Sequence, residues 1–152
     1  MAEAKGMTQE TGFVFEREIG IDAPPETVFE FFTDPEKMKQ WMGSNAELDP
    51  QPGGVLRVQV LSEAIAKGEY VRVDPPRFVA FTWGWEGDGQ VVAPGSSLVE
   101  VSLRPDGAGT VLTLRHTGLP TEEMAEQHKQ GWTHYMDRLR AAASGRDLFP
   151  TG

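Results

Sequence analysis

The sequence contains no cysteine. Disulfides, thiolate metal sites and a cysteine nucleophile are therefore excluded. No stretch approaches the roughly 18 to 20 apolar residues that a membrane-spanning helix needs. Residues 1–12 also lack the basic start and apolar run of a secretory signal. We therefore expect a cytoplasmic protein without a membrane span.

Basic residues are scarce: 14 lysines and arginines stand against 23 acidic residues, which gives a formal net charge of −9. A surface of this charge repels phosphate backbones, and no stripe of lysine and arginine offsets it. The composition therefore predicts no nucleic-acid partner. A chain of 152 residues with 39% apolar and 24% charged residues is typical of one globular domain.

Signatures of metal and nucleotide chemistry are missing as well. His128 and His134 are six residues apart, which places them on different sides of a helix, and no His-Glu-x-x-His motif occurs. No serine lies in a nucleophile-elbow pattern, and no helix follows the glycine-rich stretch 87–95. These absences favour a binding protein over a hydrolase or a nucleotide enzyme, and we expect no metal and no cofactor.

Period-two alternation of apolar residues predicts strands along much of the chain. In the first, at 13–21, Arg17 shares the face of Phe13, Phe15, Ile19 and Ile21. Turn residues separate the later runs, so neighbouring strands should be antiparallel. These further strands are predicted at 56–60, 68–73, 77–85, 99–103 and 110–117.

Three helices are also predicted. Pro24 and Pro25 open a short helix, and Asp34 caps a second. Thr121, followed by two glutamates, opens an amphipathic helix of about six turns that ends near residue 144. Its apolar face comprises Met124, Ala125, His128, Gly131, Trp132, Tyr135, Met136, Leu139 and Ala142.

The order of these elements predicts an α+β domain in which the helices cover one face of an antiparallel sheet. We place this domain at residues 12–145. Residues 1–11 are predicted to be a loose N-terminal tail, and residues 146–152 a C-terminal tail.

Several short motifs follow one another along the chain. They are Ala23-Pro24-Pro25-Glu26-Thr27-Val28-Phe29, Thr33-Asp34-Pro35-Glu36, Trp41, Pro52-Gly53-Gly54, Gly68-Glu69-Tyr70, Asp74-Pro75-Pro76-Arg77, Thr82-Trp83, Gly118-Leu119, His128, Gly131-Trp132 and Arg138-Leu139. Over roughly residues 13–143 the chain resembles the START-like (SRPBCC, helix-grip) superfamily, and within it the family of polyketide cyclases and homologues of the heat-shock chaperone ATPase activator. The resemblance implies a curved sheet of six to seven strands, two short helices, and a long C-terminal helix over a cavity.

The cavity implied by this fold has candidate ligand-binding residues of two kinds. Four are polar groups on otherwise apolar faces, where each needs a partner, a water or a ligand: Arg17, His116, His128 and Tyr135. Eight are apolar: Phe32, Trp41, Val79, Phe81, Trp83, Val101, Leu114 and Trp132. No catalytic residue is identified. A simpler interpretation makes the histidines structural, Tyr135 a core aromatic, and Arg17 the partner of a carboxylate on a neighbouring strand.

Three functions stay open at this point. The first is a carrier or sensor of a small hydrophobic molecule, aromatic or lipid-like. The second is a cyclase or dehydratase without metal or nucleotide cofactor, with His116, His128 or Tyr135 as acid or base. The third is a co-chaperone with a role in the stress response. We favour a small hydrophobic molecule over a chaperone as the partner, because such co-chaperones normally carry a further chaperone-binding domain. A homodimer is compatible with each of the three.

Overall fold

A computed structural model describes residues 13–60 and 63–144. Its seven antiparallel strands form one sheet in the order β1-β7-β6-β5-β4-β3-β2. The strands are β1 (Phe13–Ile21), β2 (Gly43–Leu48), β3 (Val55–Val60), β4 (Ile65–Asp74), β5 (Phe78–Trp83), β6 (Ser97–Asp106) and β7 (Gly109–Leu119). The helices are α1 (Pro25–Glu30), α2 (Pro35–Met38) and α3 (Glu122–Ala143). The predicted α+β helix-grip fold is confirmed, while both predicted tails lie outside the described residues.

Side-chain caps confirm two of the predicted helix starts, those of α2 and α3. The Asp34 carboxylate accepts a hydrogen bond from the backbone N–H of Glu36 at 2.9 Å. The Thr121 hydroxyl accepts one from the backbone N–H of Met124 at 3.1 Å. Each side chain satisfies a backbone donor that has no partner within the helix. None of the helices in the described part of the chain is long and apolar enough to cross a membrane.

Helix α3 buries one face against the sheet. The buried residues on it are His128, Trp132, Met136, Leu139 and Ala143. Its last half covers a densely filled core in which Phe32, Trp41 and Met136 are completely buried or nearly so. The indole of Trp41 also donates to the carbonyl of Phe31 at 2.9 Å, which ties the α1–α2 segment into this core.

Arg17 fixes α3 against β1. Its guanidinium donates to the carbonyl of Thr133 and to the carboxylate of Asp137, both at 3.1 Å. The simpler interpretation placed the carboxylate that pairs with Arg17 on a neighbouring strand. It lies on helix α3 instead. Arg140 adds a second link from α3 to β1, because its Nε donates to the carbonyl of Gly20 at 3.1 Å.

Several details differ from the sequence-based expectation. Strand β2 was not predicted, β4 begins at Ile65 instead of residue 68, and β5 ends at Trp83 instead of residue 85. Phe13, predicted on the buried face, is 44% exposed. The pairing of β1 with β7 shifts between Phe13 and Phe15. Such a bulge breaks the alternation of faces, so the end of the strand no longer follows the pattern of its middle.

Leu139→Ala tests the packing of α3. Leu139 is fully buried on the helix face that meets the core. Removing its side chain should lower the free energy of unfolding by about 2 to 5 kcal/mol, because the cavity left behind collapses only in part. Urea denaturation measures this change. His134→Ala, at an exposed position of the same helix, is the control. Equal effects of the two substitutions would contradict the observed orientation of α3.

Candidate functional site

A cavity of about 420 Å³ opens beside the first half of α3. This volume falls in the range of small-molecule sites. Its walls come from the end of β3, the end of β5, the loop that follows β5, and α3. The lining residues are Val60, Ala64, Trp83, Trp85, Gly89, Gln90, Val91, Val92, Met124, Gln127, His128, Gly131, Trp132 and Tyr135.

Three tryptophans form the inner wall of this cavity. The ring of Trp83 lies 5.0 Å from that of Trp132 and 5.5 Å from that of Trp85, measured between centroids. The Trp83–Trp85 pair has the edge-to-face arrangement that aromatic quadrupoles favour. The wall is therefore apolar and aromatic, as in sites that bind hydrophobic small molecules.

The loop at 84–96 forms the outer wall and is held at its base. Arg57 binds the Glu86 carboxylate through two hydrogen bonds of 2.7 and 3.0 Å. This contact lowers the pKa of Glu86. Across the loop, the backbone N–H of Trp85 donates to the carbonyl of Val92 at 2.8 Å. A side chain at position 84 would collide with the backbone of Ala93, so only glycine allows the loop to close this tightly.

His116 lies behind the tryptophan wall and is fully buried. Its Nδ1 is 2.9 Å from the indole nitrogen of Trp132, and its Nε2 is 2.8 Å from the hydroxyl of Ser97. An indole nitrogen can only donate, so Nδ1 accepts, and neutral His116 carries its proton on Nε2. Ser97 in turn donates to the carbonyl of Trp83 at 2.8 Å. With its proton on Nε2, His116 cannot accept the proton of Ser97, so the pair lacks the arrangement of an activated nucleophile.

His128 is held in the same manner on α3. Its Nε2 accepts from the indole of Trp85 at 3.0 Å, so its Nδ1 carries the proton and donates to the carbonyl of Met124 at 2.8 Å. The two imidazole rings meet edge to face at 5.1 Å. Burial and, to a smaller extent, the neighbouring His128 together lower the pKa of His116 to about 3. Burial also lowers the pKa of His128. Both rings are therefore neutral near pH 7.

The structure brings only some of the sequence-predicted residues to the cavity. Trp83, His128, Trp132 and Tyr135 line it, and His116 supports Trp132 from behind. Six of the apolar candidates are instead fully buried in the packed core and do not reach the cavity: Phe32, Trp41, Val79, Phe81, Val101 and Leu114. Arg17 binds the far side of α3, as described above.

Sequence reasoning missed several lining residues. Trp85 shares the phase of Trp83, and Met124 lies on the apolar face of α3, so both had a signal in the sequence. Gly89, Gln90, Val91 and Val92 belong to a loop, where no periodicity indicates which side chains face inward. In the described part of the chain, no cluster of histidine, aspartate and glutamate could hold a metal ion.

A second hollow, also of about 420 Å³, lies where β1 ends and the β6–β7 hairpin turns. It contains no aromatic side chain, and its lining residues are Gly20, Ile21, Asp22, Asp106, Ala108, Gly109, Thr110, Arg140 and Ser144. The first cavity therefore matches a hydrophobic ligand better.

The buried neutral histidines predict that stability falls as the pH is lowered. The pKa of His116 is about 3 in the folded chain, against an ordinary value of 6.5. Between these two values the unfolded chain binds more protons, so the free energy of unfolding decreases as the pH falls. His116 alone should remove about 2 kcal/mol at pH 5 relative to pH 8. Urea denaturation across this range measures the slope.

His116→Gln isolates this contribution, because glutamine does not titrate. The variant will be less stable at every pH, since it loses contacts to Trp132 and Ser97, but its stability should vary less with pH. His134→Gln, at an exposed position of α3, is the matched control. An unchanged slope in His116→Gln would contradict a neutral buried imidazole at this position.

Comparison with known proteins agrees with this fold. Residues 22–144 match the family model described as Activator of Hsp90 ATPase homolog 1-like protein. An AHSA1-like protein from Rhizobium etli is 46% identical, with 91% of this chain and 86% of that chain covered and a TM-score of 0.72. CalU16 from Micromonospora echinospora is 28% identical, with 86% and 76% covered and a TM-score of 0.67.

An HSP90 activator from Plasmodium falciparum is 25% identical, with 84% of this chain and 94% of that chain covered and a TM-score of 0.70. No curated protein matches the sequence. The family match takes in α1, α2, β2 to β7 and all of α3, and so contains the whole described cavity. The START-like resemblance of the sequence is thereby confirmed, and the chain belongs to the Activator of Hsp90 ATPase homolog 1-like family.

Proposed function

We propose that this protein binds a small hydrophobic molecule, aromatic or lipid-like, in the cavity beside α3, as a carrier or sensor. The observation that carries the proposal is the open cavity of about 420 Å³ with its wall of three tryptophans. Side chains fill the core under the second half of α3. The open space is therefore confined to the first half of this helix.

Gly131 supports this proposal. It lies in the middle of α3, where glycine costs about 1 kcal/mol relative to alanine. A Cβ at this position would meet no atom within 4 Å, so the packing of the protein does not require a glycine there. Gly131 lines the cavity. Its missing side chain leaves room that a bound molecule can occupy.

The cyclase or dehydratase alternative receives less support from the same residues. Both ring nitrogens of His116 and of His128 are engaged in hydrogen bonds, and His116 faces Ser97 with the protonated nitrogen. A general base needs a free lone pair within reach of the substrate. The histidines are better suited to hold the tryptophan wall in place than to exchange protons with a bound molecule.

Gly131→Leu tests the proposal directly. A leucine side chain would occupy cavity space, and the helix should be slightly more stable because leucine is the better helix former. We expect the affinity for the neutral probe N-phenyl-1-naphthylamine to fall by about tenfold or more, since the probe would have to displace the new side chain. Quenching of tryptophan fluorescence reports binding, because three of the four tryptophans line the cavity.

Gly20→Leu is the matched control. Gly20 is exposed on β1, and a side chain there would also meet no atom within 4 Å. This variant should bind the probe as the wild type does. Equal binding by all three proteins would overturn the cavity as the binding site. Native mass spectrometry of protein from its own host, with Gly131→Leu in parallel, then identifies the retained molecule.

Activation of a chaperone ATPase is the second candidate function. It is supported by the family match and by the 25% identity to an HSP90 activator from Plasmodium falciparum. The test is the ATP turnover of an Hsp90-type chaperone from the same host with and without this protein. A co-chaperone acts through its outer surface, so Gly131→Leu should stimulate as the wild type does. No stimulation by either protein would exclude this function.

A further inference from the structure

The tryptophan and histidine cluster beside the cavity has more donors than acceptors. Three indoles, those of Trp83, Trp85 and Trp132, each contribute one N–H and no acceptor. Each neutral imidazole offers one acceptor nitrogen, and there are two imidazoles. Trp132 uses the acceptor of His116, and Trp85 uses the acceptor of His128. The two imidazoles therefore leave one of the three indole N–H groups without a histidine acceptor.

Trp83 is the indole without one. Among the described residues, its Nε1 is the buried side-chain nitrogen or oxygen that has no hydrogen-bond partner. The fourth tryptophan of the chain, Trp41, donates to the carbonyl of Phe31. Buried donors are nearly always paired in folded proteins, so an unpaired one calls for an explanation. Trp83 lies in the cavity wall, where a bound molecule can supply the acceptor.

The same wall carries no ion-pair partner for a ligand. Among the described lining residues there is no aspartate, glutamate, lysine or arginine. His128 is neutral while it accepts from Trp85. An ionised group would lose its hydration on entering this site without gaining a counter-charge. The net charge of −9 adds a repulsion against anions in particular.

We infer that the cavity takes an uncharged, flat aromatic compound that bears an oxygen acceptor, and that the Nε1–H of Trp83 donates to this oxygen. The inference rests on the proposed function and restricts the ligand to one chemical class. Because the Nε1 atom of Trp83 is shielded by its neighbours, the acceptor reaches it after a small shift of a neighbouring ring. Trp85 contacts Trp83 and is only partly buried, and we assign the shift to it.

Three matched compounds test the inference: fluorene, fluorenone and a fluorenone carboxylate. The first two share one flat ring system and differ in the carbonyl oxygen. The wild type should bind fluorenone about tenfold more tightly than fluorene, the effect of satisfying one buried donor. The carboxylate should bind at least as weakly as fluorene. Quenching of tryptophan fluorescence gives the three affinities.

Trp83→Phe removes the donor and keeps an aromatic ring. In this variant the affinities for fluorene and fluorenone should become equal. Trp41→Phe is the control, because Trp41 is buried outside the cavity and its Nε1 has a partner. It should keep the preference for fluorenone. It should also lower the melting temperature more than the loss of ring volume alone predicts, since the carbonyl of Phe31 is left unpaired.

A second measurement needs no variant. The wild type has four indole N–H signals in a ¹⁵N spectrum, one for each tryptophan. Fluorenone should move the assigned Trp83 signal downfield, as expected for a new hydrogen bond, and fluorene should not. Equal affinities and equal shifts with the two compounds would overturn the inference but leave the proposed function standing. If neither compound binds while N-phenyl-1-naphthylamine does, the inference also falls. If none of these binds, the proposed function falls with it.

Discussion

The cavity depends on how close α3 comes to the sheet. Its backbone approaches β1 most extensively, where Arg17 and Arg140 bind the two elements together. Towards β5, helix and sheet meet through side chains such as Trp83 and Trp132. Under the second half of α3 the space between helix and sheet is filled by Met136, Leu139 and the aromatic residues of the α1–α2 segment. Under the first half it is lined by large rings that do not fill it.

The rings of the inner wall are held by polar contacts as well as by packing. Trp132 donates to His116, which in turn donates to the hydroxyl of Ser97. Trp85 donates to His128, which in turn donates to a carbonyl of the helix backbone. A directed hydrogen bond favours one orientation of each ring, in addition to what packing does. The histidines thus act on the cavity through the tryptophans. This role needs neutral imidazoles, and burial keeps them neutral.

The fold could be predicted from the sequence because its signals are local. Alternation marked β3, β5, β6 and β7, and capping residues marked α2 and α3. Strand β2 was missed because its sequence, Gly43–Leu48, contains few apolar residues and most of its positions are partly or fully exposed. It is an edge strand that pairs only with β3. Such a strand has only a short apolar face to bury, so it leaves little periodic signal.

The site was harder to predict, for two physical reasons. First, a residue that faces inward from a strand can be covered by another element. Val79, Phe81 and Val101 belong to the core cluster, as expected of inward-facing residues, yet they are fully buried and do not line the cavity. Second, the loop at 84–96 is held beside the cavity by the Arg57–Glu86 contact and by the close approach of Gly84 to the backbone of Ala93. Neither contact is local in sequence, so no pattern in the chain indicated them.

The roles of the two histidines could not be read from the sequence either, since a role depends on which nitrogen carries the proton. A histidine beside a serine, as at His116 and Ser97, has the residue types of a catalytic pair. Here the Trp132 indole occupies Nδ1, which forces the proton onto Nε2 and turns it towards the serine. The hydrogen bond from Trp132 therefore prevents His116 from acting as a general base for Ser97. The same contact uses the acceptor nitrogen of His116, and the indole of Trp83 is left as the buried donor of this cluster that has no partner among the described residues.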